Sequence, residues 1–115
     1  MKTLLTLLTC LFLLSPNVVL GETVKWDDLV KRDGIHYKKF TDVPFSGQVT
    51  GKKQGLLKNG VRDGLWEYYH ENGRLESNGH YKDGKQDGLW EYFNEDGTVN
   101  KIKTGTYKDG KKVSD

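Results

Sequence analysis

Asn59-Gly60-Val61-Arg62-Asp63-Gly64-Leu65-Trp66-Glu67-Tyr68-Tyr69 returns 24 residues later as Asp83-Gly84-Lys85-Gln86-Asp87-Gly88-Leu89-Trp90-Glu91-Tyr92-Phe93. The match runs on through Glu71-Asn72-Gly73 and Glu95-Asp96-Gly97. After two extra residues, Gly105-Thr106-Tyr107-Lys108-Asp109-Gly110-Lys111 reproduces Gly79-His80-Tyr81-Lys82-Asp83-Gly84-Lys85. Upstream, Gly55-Leu56-Leu57-Lys58-Asn59-Gly60 is a degenerate form of the same phrase. A fixed period of this length marks a chain assembled from one supersecondary unit.

Each unit reads as strand, turn, strand, turn. Leu65 to His70 is aromatic-rich and suits an extended backbone. Asn72-Gly73, Asp83-Gly84 and Asp96-Gly97 are hairpin dipeptides. Gly64 and Gly88, just before the Leu-Trp pairs, suit a bulge or a close backbone approach under an indole. Alternation puts Trp66 and Tyr68 on one face, with Leu65 and Tyr69 on the other, and places Trp90 and Tyr92 opposite Leu89 and Phe93. The expected fold is all-β, an antiparallel β-hairpin repeat meander with an aromatic ladder across its hairpins. Its repeat units occupy residues 59–115, and a divergent N-terminal capping unit occupies residues 22–58. Within that cap, Trp26 to Arg32 fits a helical turn or a strand.

The phrase Tyr81-Lys82-Asp83-Gly84-Lys85-Gln86-Asp87-Gly88-Leu89-Trp90-Glu91-Tyr92 resembles the MORN repeat, with its Tyr-x-x-Gly-x-x-x-Gly-x-Trp spacing. Residues Asp33 to Gly47 are similar to the opening of bacterial MORN-variant proteins of the YwqK family, labelled antitoxins of toxin–antitoxin systems. The resemblance implies a non-enzymatic scaffold for protein contacts, with lipid contact also proposed for such repeats. An antitoxin or immunity role, neutralising a dedicated toxin, is what the family label adds.

Residues 1–21 differ from the rest. Met1-Lys2 begins a segment whose Leu4–Leu14 stretch is almost unbroken apolar, and Ser15-Pro16-Asn17 breaks it. That is the layout of a secretory signal peptide, with cleavage expected between Gly21 and Glu22. The run is short of the ~20 residues a spanning helix needs. Cys10 is the chain's single cysteine. Thr9 precedes it where a lipobox has Gly or Ala, so Cys10 reads as part of the leader rather than as a lipidation site. The expected location is the periplasm or the exterior. The exported part is then without cysteine and relies on sheet pairing and packing.

Charge is balanced, with 18 Lys+Arg against 16 Asp+Glu and no basic block. That pattern lacks the footprint of a nucleic-acid binder. The three histidines, His36, His70 and His80, match no zinc spacing, so no metal or other cofactor is expected. Asp63 and Asp87 recur before turn glycines, where Asp bonds its local backbone better than it serves acid–base chemistry. No nucleophile–base constellation is present, and the chain reads as a non-enzyme. The candidate partner-binding residues are Trp66, Tyr68, Trp90 and Tyr92. Their stripe would grip another protein, or a lipid or glycan, unless the sheet consumes it in packing.

Overall fold

The structure is a computed structural model that describes residues 22–115. The expected leader, with Cys10 inside it, lies outside the described residues. The elements in chain order are β1 (Thr23–Lys25), a 3-10 turn (Trp26–Asp28), β2 (Leu29–Arg32), β3 (Ile35–Lys38), β4 (Gly47–Thr50), β5 (Lys53–Lys58), β6 (Val61–Tyr69), β7 (Leu75–Lys82), β8 (Lys85–Tyr92), β9 (Gly105–Lys108) and β10 (Lys111–Ser114). Eight strands form one sheet in the order β1-β4-β5-β6-β7-β8-β9-β10, and β2 and β3 form a separate two-stranded sheet.

The described residues are all-β, as expected, but they do not form the regular antiparallel hairpin meander. β1 pairs with β4 in parallel, Val24 opposite Val49. The chain leaves β1, makes the β2–β3 hairpin and returns to lay β4 alongside in the same direction. Strand lengths run from three to nine residues. Both departures fall where hydrophobic alternation is too short to be read. A three-residue strand has one inward side chain, and Val24 finds its place only because Val49 is fully buried beside it. The result is one large mixed sheet with a small satellite sheet.

Local turn chemistry explains the rest of the sheet. Asp33-Gly34, Asn59-Gly60, Asp83-Gly84 and Asp109-Gly110 all have positive φ at both residues, near 51° at the Asx and 79–85° at the glycine. Two left-handed central residues give a turn whose twist matches the strands it joins. Adjacent turns are tied together: Gly84 N–H donates to the Arg62 carbonyl at 3.2 Å, and Gly110 N–H to that of Gln86 at 3.1 Å. Asn72-Gly73 behaves differently, because only the glycine has positive φ. There the Asn72 side chain accepts the Arg74 N–H at 2.9 Å. Replacing Asp83 with alanine is expected to cost about 1 kcal/mol, because alanine lacks the local bonds that make the left-handed region tolerable. Asp83→Gly should stay within about 0.5 kcal/mol of the parent. Urea midpoints check both.

The packed face carries Val24, Phe45, Val49, Leu57, Trp66 and Trp90, all buried. Trp66 and Trp90 reach that face by the same device. In β5–β6 the register jumps from Gly55↔Trp66 to Leu56↔Asp63, and in β7–β8 from Gly79↔Trp90 to His80↔Asp87. Each jump leaves Gly-Leu unpaired toward the preceding strand as a bulge and lays the following indole flat over the facing glycine. A Cβ at Gly55 or Gly79 would fall closer than 3.0 Å to the ring atoms above it. Each indole Nε1–H then donates at 2.9 Å to the next carbonyl, that of Leu56 or of His80. A large aromatic encloses roughly 150–250 Å². At ~25 cal/mol per Å², two such rings outweigh any single hydrogen bond in the sheet, worth about 1 kcal/mol.

Candidate binding surface

The four candidate residues share the packed face, but not equally. Trp66 and Trp90 have exposures of 0% and 1% and offer a partner no ring surface. Tyr68 and Tyr92 are half-buried, as are Tyr81 and Tyr107. The row is continuous: Trp66–Tyr68, Tyr68–Trp90, Trp90–Tyr92 and Tyr92–Tyr107 centroids lie 6.1–6.3 Å apart. Trp26 closes its first end, edge-on to Trp66. At the far end, Tyr107 donates its hydroxyl to the Lys103 carbonyl, and the Lys103 ammonium lies over Tyr92. The Tyr68 and Tyr81 hydroxyls meet at 2.9 Å. Burial, with that hydrogen bond second, pushes the Tyr68 phenol well above its ordinary range.

Arg62 sits among these rings and was not legible as special. Its guanidinium lies 5.3–6.0 Å from Trp26, Trp66, Tyr68 and Tyr81, and its Nε is buried with no hydrogen-bond partner. The attraction of a cation to ring faces offsets that orphaned donor in part. The one available signal was its place two residues after a turn glycine, which matches inward-facing Gln86. Gln86 itself donates to the Tyr92 hydroxyl at 2.7 Å.

The three histidines are dispersed. His36 is buried against Trp26, 5.2 Å between centroids, with Nδ1 3.2 Å from the Gly60 carbonyl. His70 meets the Phe93 carbonyl through Nε2 at 2.8 Å, and His80 is exposed. Among the described residues no three His, Cys, Asp or Glu side chains cluster in a way that would hold a metal ion. Burial lowers the His36 pKa against the opposing pull of the Gly60 carbonyl, and Arg62, Lys31 and Lys53 lower it further. A folded-state pKa below the unfolded one means that the unfolded chain takes up the proton first. Stability should therefore be unaffected by His36 above about pH 6.5 and fall as pH drops through and below that value. Urea midpoints at pH 8 and pH 5 check this, and His36→Gln should flatten the difference.

The opposite, outer face of the sheet carries two exposed leucines, while Phe40, Val43 and Ile102 are exposed in loops. Leu65 and Leu89, the second residues of the two bulges, are 51% and 60% exposed. His80 stands between them, paired with Leu65, and Asp63, Asp87, Glu67 and Glu91 surround them on the same face. The hollows of the molecule are open and shallow. One of about 550 Å³ lies between Trp26, Lys25, Lys52, Lys53 and Glu71. No helix among the described residues is long and apolar enough to cross a membrane. No family model, curated protein or solved structure matches the chain, and with the mixed sheet this withdraws the likeness to MORN-variant proteins: what stands is an all-β domain with one eight-stranded and one two-stranded sheet.

Proposed function

We propose that this chain is a non-enzymatic protein-binding module that acts outside the cytoplasm and meets its partner through the outer face of the sheet. The observation that carries the reading is the pair Leu65 and Leu89. Both hold the same step of a repeated bulge, and both put more than half of a leucine into solvent. One exposed leucine means little. Two at equivalent positions, ringed by charged side chains, have the anatomy of an apolar centre with a polar rim. The packed face supports the reading from the other side, because its two indoles are already enclosed. The apolar stretch Leu4–Leu14 supports export.

The test is a tagged chain recovered from the envelope fraction, beside the double variant Leu65→Asp, Leu89→Asp. Both sites are exposed, so the variant should fold with unchanged tryptophan emission. The expected result is one stoichiometric protein, held by the parent and lost by the variant. A partner held equally by both would contradict the outer-face reading. Retention only on liposomes or cell-wall material would replace the protein partner with a lipid or glycan.

A further inference from the structure

A hollow of about 330 Å³ opens on the outer face beside Leu65. Leu56 and Leu65 give it apolar walls, and Asp63, Glu67 and Gln54 stand around it. The Gly64 backbone keeps it open, with nothing within 4 Å of where a Cβ would stand. Acidic character extends past the hollow. Glu67 and Glu91 flank Asn78 from either side, and Asp87 is paired with His80, itself opposite Leu65. Among the described residues, none of Asp63, Glu67, Asp87 and Glu91 forms an ion pair. Lys58, Lys82 and Lys85 stand at the turn end of the sheet, with Asp63 and Asp87 between them and the leucines. Glu67 has only uncharged cross-strand partners, Gln54 and Asn78. The chain carries 18 Lys+Arg against 16 Asp+Glu, so this acidity is local to the face.

We infer that the hollow receives an arginine side chain of the protein partner, whose neighbouring apolar residues cover Leu65 and Leu89; the inference rests on the outer-face reading above. The arginine stem lies along Leu56 and Leu65 while its guanidinium meets Asp63 and Glu67. A guanidinium suits the place better than an ammonium, because its planar fork serves two carboxylates and it is more weakly hydrated. The same four carboxylates act against a phosphate-bearing surface. A second copy of this chain has no arginine to spare. Arg32 donates to the Thr41 carbonyl and lies over Tyr37, Arg62 is held among the rings, and Arg74 donates to the Asp96 carbonyl.

The probes are two labelled synthetic peptides, Ser-Leu-Arg-Ser-Leu-Arg-Ser-Leu and its counterpart with glutamate at both arginines, titrated by anisotropy into the full chain. The arginine peptide should bind about tenfold or more tightly than the glutamate one. The Asp63→Asn, Glu67→Gln chain should bind the two alike. Leu65→Ser with Leu89→Ser should weaken the arginine peptide through lost apolar contact, without adding charge. Both peptides bound equally by the parent, and both lost with the serine variant, would overturn the arginine site and leave the outer-face reading standing. An arginine peptide held equally by the parent and by both variants would overturn the two together. Absence of binding overturns the proposal, as does dimerisation of the parent that Asp63→Asn, Glu67→Gln abolishes, which would seat a second copy there. If that variant fails to fold, the comparison of the two peptides on the parent still decides.

Discussion

Gly79→Ala is expected to destabilise the domain by about 3 kcal/mol or more, a large share of what holds a small domain folded. The added methyl would enter the Trp90 ring, which has no free direction to move. Trp90 is 1% exposed, packed edge-on by Tyr81 at 5.0 Å, and pinned through Nε1 to the His80 carbonyl. Overpacking a tight site costs about 1–3 kcal/mol and occasionally more. The whole stability of a domain is only about 5–15 kcal/mol. Gly88→Ala is the control. Gly88 has φ +85° but nothing within 4 Å of its would-be Cβ, so backbone strain alone, about 1–2 kcal/mol, should be felt. Urea unfolding followed by tryptophan emission separates the two. Equal losses at both positions would mean that the indole does not rest on Gly79.

Trp66→Ala should cost about 3–5 kcal/mol, the range for emptying a large buried aromatic. Trp66 is met edge-on by Trp26 and by Tyr81, so its loss opens a cavity between the first strands and the rest of the sheet. Trp66→Phe is the informative companion. It keeps most of the apolar volume but leaves the Leu56 carbonyl without the indole N–H, a loss of about 1–3 kcal/mol where the group stays buried. Midpoints ordered parent, Phe, Ala are expected. A parent-like Trp66→Ala would remove Trp66 from the core. The same arithmetic shows why a tryptophan-to-alanine variant is a poor probe of binding: loss of the fold would imitate loss of a partner.

Much of the main sheet was legible, because its signals are local and repeated. Asp83-Gly84 announces its turn, and alternation from Leu65 to Tyr69 puts Trp66 and Leu65 on opposite faces. The glycine facing each indole was less plain. Gly64 and Gly88 read as bulges or as close-approach sites under an indole; they form the bulges, and the rings rest on Gly55 and Gly79 from the neighbouring strand. Sequence spacing cannot show which strand lies across the gap. The parallel β1–β4 pair escaped for the same reason, since Val24 and Val49 are related only through the chain's detour between them. A recurring phrase also invites extrapolation to a regular array. Here it specifies turns and bulges, while the N-terminal strands follow contacts of their own.

The surface was the least legible part. Trp66, Tyr68, Trp90 and Tyr92 attract attention because aromatic residues serve both cores and interfaces, and composition alone does not divide the two uses. The bulge decides it, by turning the indoles in and the leucines out. Arg62 and His36 show the same limit, because their positions are set by rings contributed from other strands.

The most direct test of the central claim, that Trp66 and Trp90 are enclosed over glycines and leave the outer face for recognition, is hydrogen exchange at the three indole N–H groups by NMR. Trp66 and Trp90 should exchange slowly, protected by the Leu56 and His80 carbonyls at 2.9 Å, while half-buried Trp26, which has no such acceptor among the described residues, exchanges fast. Fast exchange at all three would contradict the account and return the tryptophans to the surface.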